Sequence, residues 1–440
     1  MAALITYDEV PETGKELFVA AAVERHRGGE LYRTALSADR YQRQRNETVE
    51  EFVKIIFSED GHAFEDPTAS RLRIKSNFFK RLNVQRAMYS LGNGVTFSEE
   101  GVKEKLGPRF DDDLIEIGVD SLTHGVCFAF WNLDRVEVFP VTEFAPIWDA
   151  STGALRAGVR FWRVAHDKPL NAVLYEEDGY AEYAEVGGVM TEISQKRPYK
   201  VVYEETAADG LVRVSGENYT RFPIVPVWGS DARQSTLVGM RGAIDAYDLI
   251  KSGLANDVQD CAQIYWIVEN AGGMQDADLA RFRDRLKFTH IANVDSEDGG
   301  AATPYAQEVP YQSRAAVLKQ IRDDLFEDFG ALDVHAVAAG ATNDHIDAAY
   351  QPVDAEAAEF ERHMRTAVMD LLELQGIVAE PIFTRGKVSN VREQVEVVAL
   401  ESQWLDRRTI LRKLPNIAPS EVDAILDAVD GEEASVFGGE

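Results

Sequence analysis

Hydrophobic and polar positions follow two different periods along the 440-residue chain, and the switches between them mark its elements. Residues 15–58 read as helix, broken at Gly28-Gly29, with Asn46-Glu47-Thr48 as a helix start. A second helical stretch from about Arg71 to Leu91 ends at Gly92-Asn93-Gly94, after which VTF opens a strand. Phe78, Phe79, Leu82, Met88 and Leu91 share no narrow stripe, so this helix is expected to be covered on several sides.

From Val126 to Trp228 the pattern becomes β. CFAFWNL, VEVFPV, RAGVRFWRV, NAVLYEE, YKVVYEE, GLVRVS and FPIVPVW are β-branched and aromatic runs separated by Asp-Gly, Gly-Gly and proline signals. They predict about six to eight mostly antiparallel strands. Pro140, Pro146, Pro223 and Pro226 belong at strand ends or edges.

Helix returns near Leu237, where Ile244, Tyr247, Leu254, Val258, Cys261 and Tyr265 keep one seam, interrupted only by Lys251. A β/α insert follows: IYWIVEN as strand, DADLARFRDRLKF as helix, a Gly299-Gly300 turn and TPYAQEV as strand. A helix from about Ser313 carries Leu318, Ile321, Leu325 and Phe329 and is closed by Gly330. VHAVAAGATNDHI (334–346) has the composition of a mobile loop. A long helix is expected from Asp347 to Leu374, kinked by Pro352. PIFTRGKVSN reads as a strand, QWLDRRTILRKLP and PSEVDAILDAV as short helices, and GEEASVFGGE as a frayed tail. The fold class is α+β.

Composition narrows the function. Lysine and arginine total 46 against 75 acids, a net charge of −29, which disfavours non-specific wrapping of nucleic acid. Cys127 and Cys261 are the only cysteines, too few for a disulfide framework or a cysteine-rich zinc module, and suit a reducing compartment. No apolar run approaches the ~20 residues of a membrane span, and MAALITYDEVPETGKE is not a signal segment. A soluble protein with no membrane partner is expected.

Catalytic signatures for phosphate loops, nucleophile elbows and zinc hydrolases are missing from the sequence. Asp111-Asp112-Asp113 could attract a hard cation, but their spacing matches no metal loop. His335, His345 and His363 would have to converge to bind a metal, and His124 with Cys127 would have to form a nucleophile–base pair. The expectation is no enzyme, no metal and no cofactor; the runner-up is a cytoplasmic metal-dependent hydrolase built on the acidic cluster near Asp111.

Charge placement says more. Between Arg322 and Arg362, 39 residues carry 11 acids and no base: Asp323, Asp324, Glu327, Asp328, Asp333, Asp344, Asp347, Asp354, Glu356, Glu359 and Glu361. Such a surface would let a polyanion slide past without gripping it. Conversely, Arg71, Arg73, Lys75, Lys80, Arg81 and Arg86 lie in a stretch with no acid. That inter-subunit basic segment would balance an acidic face on an identical neighbour, as in head-to-tail assembly of a closed ring.

Five stretches then carry a resemblance. They are NFFKRLNVQRAMYSLGNGVTF (77–97), VFPVTEFAPIWDASTGALRAGVRFWRV (138–164), FPIVPVWGSDARQSTLVGMRGAIDAYDLIKSGLANDVQD (222–260), VPYQSRAAVLKQIRDDLFEDFGALDV (309–334) and GATNDHIDAAYQPVDAEAAEFERHMRTAVMDLLEL (340–374). In this order the chain resembles the portal proteins (head–tail connectors) of tailed double-stranded DNA bacteriophages of the siphovirus type. The resemblance implies a portal fold: an antiparallel β/α wing (1–236), stem helices at 237–263 and 313–333, and a small α/β clip (264–312). A tunnel loop (334–346), a long kinked helix returning to the wing (347–400) and a short helical crown and tail (401–440) complete it.

It also implies a ring of about twelve copies at a unique capsid vertex of the virion, assembled in the host cytoplasm. Its partners would be itself, the terminase large subunit, a head-completion adaptor, major capsid and scaffolding proteins, and double-stranded DNA passing without sequence specificity. Val334, His335, Ala336, Val337, Ala338, Ala339, Gly340, Ala341, Thr342, Asn343 and Asp344 would form the tunnel loop. Asp323, Asp324, Glu327, Asp328 and Asp347 would line the channel, and Ile244, Tyr247, Leu254, Val258 and Cys261 would pack the stem.

Overall fold

A computed structural model describes residues 4–57, 61–65, 69–205, 212–261, 265–269, 301–305, 311–333, 343–387, 391–402 and 404–414, with isolated positions between 422 and 428. Helices and antiparallel sheets are combined in one chain, the expected α+β class. The chain divides into two compact units, one of Met1–Gln42, Phe79–Met240 and Phe326–Glu440, the other of Arg43–Phe78 and Arg241–Leu325.

The first unit is built on antiparallel sheets. A three-stranded sheet runs Ile224–Trp228, Val126–Asn132, Arg135–Pro140, and a five-stranded one runs Val189–Arg197, Gly179–Val186, Asn171–Glu176, Leu155–Trp162, Phe144–Trp148. Pro146 and Pro226 lie on edge strands, where the missing N–H breaks no inner ladder. Val126–Trp228 holds ten strands among the described residues, against the seven runs read from the sequence. FAPIW is short, while GYAEYAEV and VMTEISQKR are rich in polar residues because each exposes at least part of one face.

The aromatic rings of Phe128, Phe139 and Phe144 meet in the core, with Phe128 and Phe144 centroids 4.5 Å apart. Phe144 lies directly over Gly158, where an added Cβ would fall 2.0 Å from the ring. Val19, Ala22 and Val23 of helix Lys15–Arg27 pack with Ala145, Ile147, Ala157 and Val159 of the sheet.

Helix Asn343–Glu373 continues through Pro352 and buries Ile346, Tyr350, Val353, Ala357, Phe360, Met364, Ala367 and Leu371. Their alternating spacing of four and three is a heptad seam in the sequence. The helix starts at Asn343 rather than Asp347, so Asn343–Ile346 belong to its first turn and not to the loop. Residues 334–342, the rest of the expected tunnel loop, lie outside the described residues. Among its described residues, PIFTRGKVSN contributes the strand Pro381–Phe383, paired with Val95–Phe97. Gly92 and Gly94 close the preceding helix as expected, through bonds to Met88 and Leu91 carbonyls.

Two further helical expectations are corrected. The 15–58 stretch gives helices Lys15–Arg27, Glu30–Gln42 and Glu47–Glu51, but Ile55–Phe57 is a strand paired with Ala63–Glu65. The β-branched Ile55-Ile56 pair favours that extension. The helix expected from Arg71 begins only at Phe78. Within the second unit, residues 72–76 are held alongside helix Leu237–Cys261 by its side chains. The amides of Leu72, Ile74 and Ser76 donate to Asn256 Oδ1 (2.7 Å), Ser252 Oγ (2.9 Å) and Asp248 Oδ1 (2.8 Å). Acceptors four residues apart on a helix are spaced by about 6 Å, close to the two-residue repeat of an extended chain. Asn256 and Ser252 return bonds to the Leu72 and Ile74 carbonyls. Asn46, which caps Glu47–Glu51, also donates to Asp248.

The insert has strands Tyr265–Glu269 and Ala301–Tyr305, paired antiparallel. Its expected helix and Gly299-Gly300 turn lie outside the described residues. Tyr265 is therefore a strand residue rather than the end of a helical seam.

Gly158→Ala is expected to lower unfolding stability by about 1–3 kcal/mol in urea titration, because Phe144 cannot stay where it is. Asp248→Ala removes the acceptor of the Ser76 amide and the one that Asn46 Nδ2 donates to. It should cost about 1–3 kcal/mol by the same measurement.

Candidate functional site

The acidic run changes character once folded. Cations from distant segments meet the acids of the long helix. Arg385 forms a two-pronged pair with Glu361 (2.8 Å each) and reaches Asp354 at 2.9 Å. Lys387 Nζ lies 2.7 Å from Asp354 and 3.7 Å from Asp347. Tyr89 donates its hydroxyl to Asp354 at 2.6 Å, and its pKa is driven up by burial and by that carboxylate. Burial raises the Asp354 pKa, but bonds from Lys387, Tyr89 and Arg385 outweigh it and leave the carboxyl low. Arg86 reaches Glu356 at 2.9 Å while its guanidinium covers the Phe329 ring. Glu359 accepts from the Asp231 amide.

In contrast, Asp323, Asp324, Glu327 and Asp328 on helix Tyr311–Asp328 are exposed. All five of the expected channel-lining acids are exposed, Asp323 beside Arg322 at 3.5 Å and Asp347 near Lys387.

Part of the basic segment pairs with acids of its own chain, though Arg71, Arg73, Lys80 and Arg81 stay exposed. Arg71 pairs with Glu65 at 2.7 Å, Lys75 with Glu50, and Arg86 with Glu356. Arg81 covers Phe326, and Lys80 is exposed.

Arg71 and Arg73 border a groove of about 610 Å³ in the second unit. Its apolar walls include Phe52, Val53, Leu72, Ile250 and Val317, and its rim holds Lys54, Arg314, Glu65 and Asp257. Of the expected stem seam, Ile244 is buried, Tyr247 meets Phe78 edge to face at 5.0 Å, and Leu254 is half-buried. Lys251 lies over the Tyr247 ring, and Val258 is 55% exposed. The side chain of Cys261 lies outside the described residues. The buried polar stripe is Asp248 and Ser252, which the apolar seam did not include. Small polar residues four apart on an apolar helix were its sequence signal.

The chemical candidates come apart. Asp111 accepts from the Val95 amide and pairs with Lys103 at 2.6 Å, so it fastens a strand instead of waiting for a cation. Cys127 is buried, its thiol pKa pushed well up by that burial, and its sulfur faces the Phe139 carbonyl. His124 turns instead to Asp39 at 2.8 Å. The nucleophile–base pair is not formed. His335 and the side chain of His345 lie outside the described residues. His363 approaches Asp231 and Glu359, with ligand atoms within 4.8 Å of one another. Arg362 already pairs with Asp231 and holds its carboxyl low. Among the described residues no helix is long and apolar enough to cross a membrane.

The described residues combine a long helix after residues 334–342 with two further helices flanking a strand-bearing insert. The profile of the family "Phage portal protein, SPP1 Gp6-like" matches residues 36–434, and the chain belongs to that family, whose members are structural components of virions. Among curated relatives, the portal protein of Bacillus phage SPP1 is 24% identical over 342 residues, 73% of this chain and 65% of its own length. The portal protein of Clostridium phage phiCD119 is 25% identical over 207 residues, 45% of this chain and 46% of its own length. The alignments thus span less than two thirds of either relative.

One half-buried titratable group lies apart from these sites. Burial, countered in part by His124, raises the Asp120 pKa to about 6, with Glu116 and Asp39 adding to the rise. The unfolded value is about 3.9, so the fold favours the neutral acid. Stability from this group is complete below about pH 4 and is lost as pH rises toward 6. Asp120→Asn should therefore stabilise the protein at pH 7 by up to about 3 kcal/mol and flatten the pH dependence of its melting temperature between 4 and 6.

Proposed function

We propose that the chain assembles into a closed ring of about twelve copies at one capsid vertex and conducts double-stranded DNA during packaging and ejection. The observation that carries this reading is the family match over residues 36–434. Helix Tyr311–Asp328 supports it: Tyr311 and Val317 are exposed, as is Val258 on helix Leu237–Cys261, so both helices retain surface for a neighbour. These helices would be the stem (237–263 and 313–333), flanking the clip (264–312). The wing (1–236), the long helix and its return (347–400) and a short crown (401–440) would surround the channel.

The tunnel loop would project toward the DNA, with Asp323, Asp324, Glu327 and Asp328 as the charges that repel its phosphates. The ring would nucleate procapsid assembly with capsid and scaffolding proteins, dock the terminase large subunit at its clip, and later seat a head-completion adaptor. Hydrolysis of ATP would belong to the terminase, so this chain would act as conduit and dock, without an active site of its own.

Negative-stain micrographs of the purified chain should show rings with an axial hole; globules without an opening, under every condition that supports particle formation, would overturn the reading. Asp324→Lys, at one of these exposed carboxylates, should leave ring formation intact and reduce the DNA packaged per particle. Normal genome filling by that variant would remove the sliding-surface account.

A further inference from the structure

Among the described residues, one histidine and two carboxylates come together without a role in the reading above. Asp231, Glu359 and His363 hold their ligand atoms within 4.8 Å of one another. All three belong to the first unit, and they come from two elements. Glu359 and His363 stand four residues apart on helix Asn343–Glu373, so their side chains share one face. Asp231 lies in the turn after strand Ile224–Trp228, where the Arg233 amide donates to the Ser230 carbonyl at 3.1 Å.

Both ends of that turn are fixed. The Gly229 amide donates to the Gly125 carbonyl, Ser235 Oγ to the Thr123 carbonyl, and the Thr236 amide to the Leu122 carbonyl. Asp231 then bonds back to the long helix. Its amide donates to Glu359 Oε1 at 2.7 Å, and its Oδ1 lies 2.9 Å from His363 Nε2. A site carried by fixed elements keeps its geometry before an ion arrives. Arg362 donates to the other oxygen, Asp231 Oδ2, which leaves Oδ1 for a single metal bond. Ligating carboxylates are commonly held in this way through their second oxygen. Two carboxylates against one guanidinium leave a charge of −1, which a divalent ion offsets.

The donor set selects the ion. Magnesium and calcium favour oxygen alone, whereas one imidazole nitrogen with two carboxylate oxygens suits zinc. Ligand atoms at about 2.0–2.1 Å from a tetrahedral zinc stand about 3.4 Å apart. The His363–Asp231 pair at 2.9 Å therefore has to open by only about half an ångström.

We propose that Asp231, Glu359 and His363 bind one zinc ion, which fastens the 229–236 turn to the long helix. The site stands independently of the ring reading. The full-length chain, stripped of metal with EDTA and dialysed, is titrated with zinc chloride by isothermal calorimetry, and hydrogen–deuterium exchange is followed on the same samples. The parent should show one strong site per chain, and the 229–236 amides should exchange more slowly with zinc than without. Glu359→Gln keeps an acceptor for the Asp231 amide, and His363→Gln keeps a polar side chain on the helix. Circular-dichroism melting of both, without metal, should stay within a few degrees of the parent. Each should weaken zinc binding at least about tenfold, the factor given by 1.4 kcal/mol. Asp324→Asn removes an exposed carboxylate outside the cluster and should leave the affinity unchanged, which separates this site from diffuse attraction to a chain of −29. Parental affinity in Glu359→Gln and His363→Gln, or no site tighter than about 1 mM in the parent, would overturn the proposal. Protection confined to segments other than 229–236 would place the ion elsewhere and overturn it as well.

Discussion

The close approach of three helices at Gly118 is the constraint on which the first unit depends. A Cβ at that position would stand 2.9 Å from both Leu91 and Phe360, which come from helices Phe78–Leu91 and Asn343–Glu373. Glycine inside a helix costs about 1 kcal/mol relative to alanine. Its place in helix Phe110–His124 is therefore a packing choice. It lets the heptad face of the long helix reach the same core as Leu114, Ile117 and the central strand Val126–Asn132. The segment after residue 342 is thus anchored to the sheet core through Phe360, Met364 and Leu371.

Electrostatics then distributes a large negative charge. Half-buried acids on the long helix take Arg86, Arg385 and Lys387 as partners. Exposed carboxylates on helix Tyr311–Asp328 lie where repulsion among them is screened by water and salt. The Asp354 cluster ties Tyr89, the long helix and residues 385–387 together with bonds that a low local dielectric strengthens.

The second unit uses another device. Residues 72–76 pair their alternate amides with a helix instead of a strand, so an extended segment lies fixed without a sheet. That arrangement leaves the faces of Leu72 and Arg73 available, and both border the groove.

Much of this was legible in the chain. The β region announced itself through β-branched and aromatic runs, the glycine stops at Gly92-Gly94 and Gly330 were local, and the prolines marked edges. Family membership was readable because the order of elements and short motifs survives at about one quarter identity. The extended state of Arg71–Asn77, the strand at Ile55–Phe57 and the early start of the long helix were not. Neither was the pairing of Asp354, Glu356 and Glu361 with bases far along the chain. Periodicity and turn chemistry act between residues a few positions apart, so the sequence by itself determined most of the elements, though not all of their ends. Which amide meets Ser252, and which carboxylate meets Arg385, depends on contacts across 178 and 24 residues, and only the packed chain could decide them.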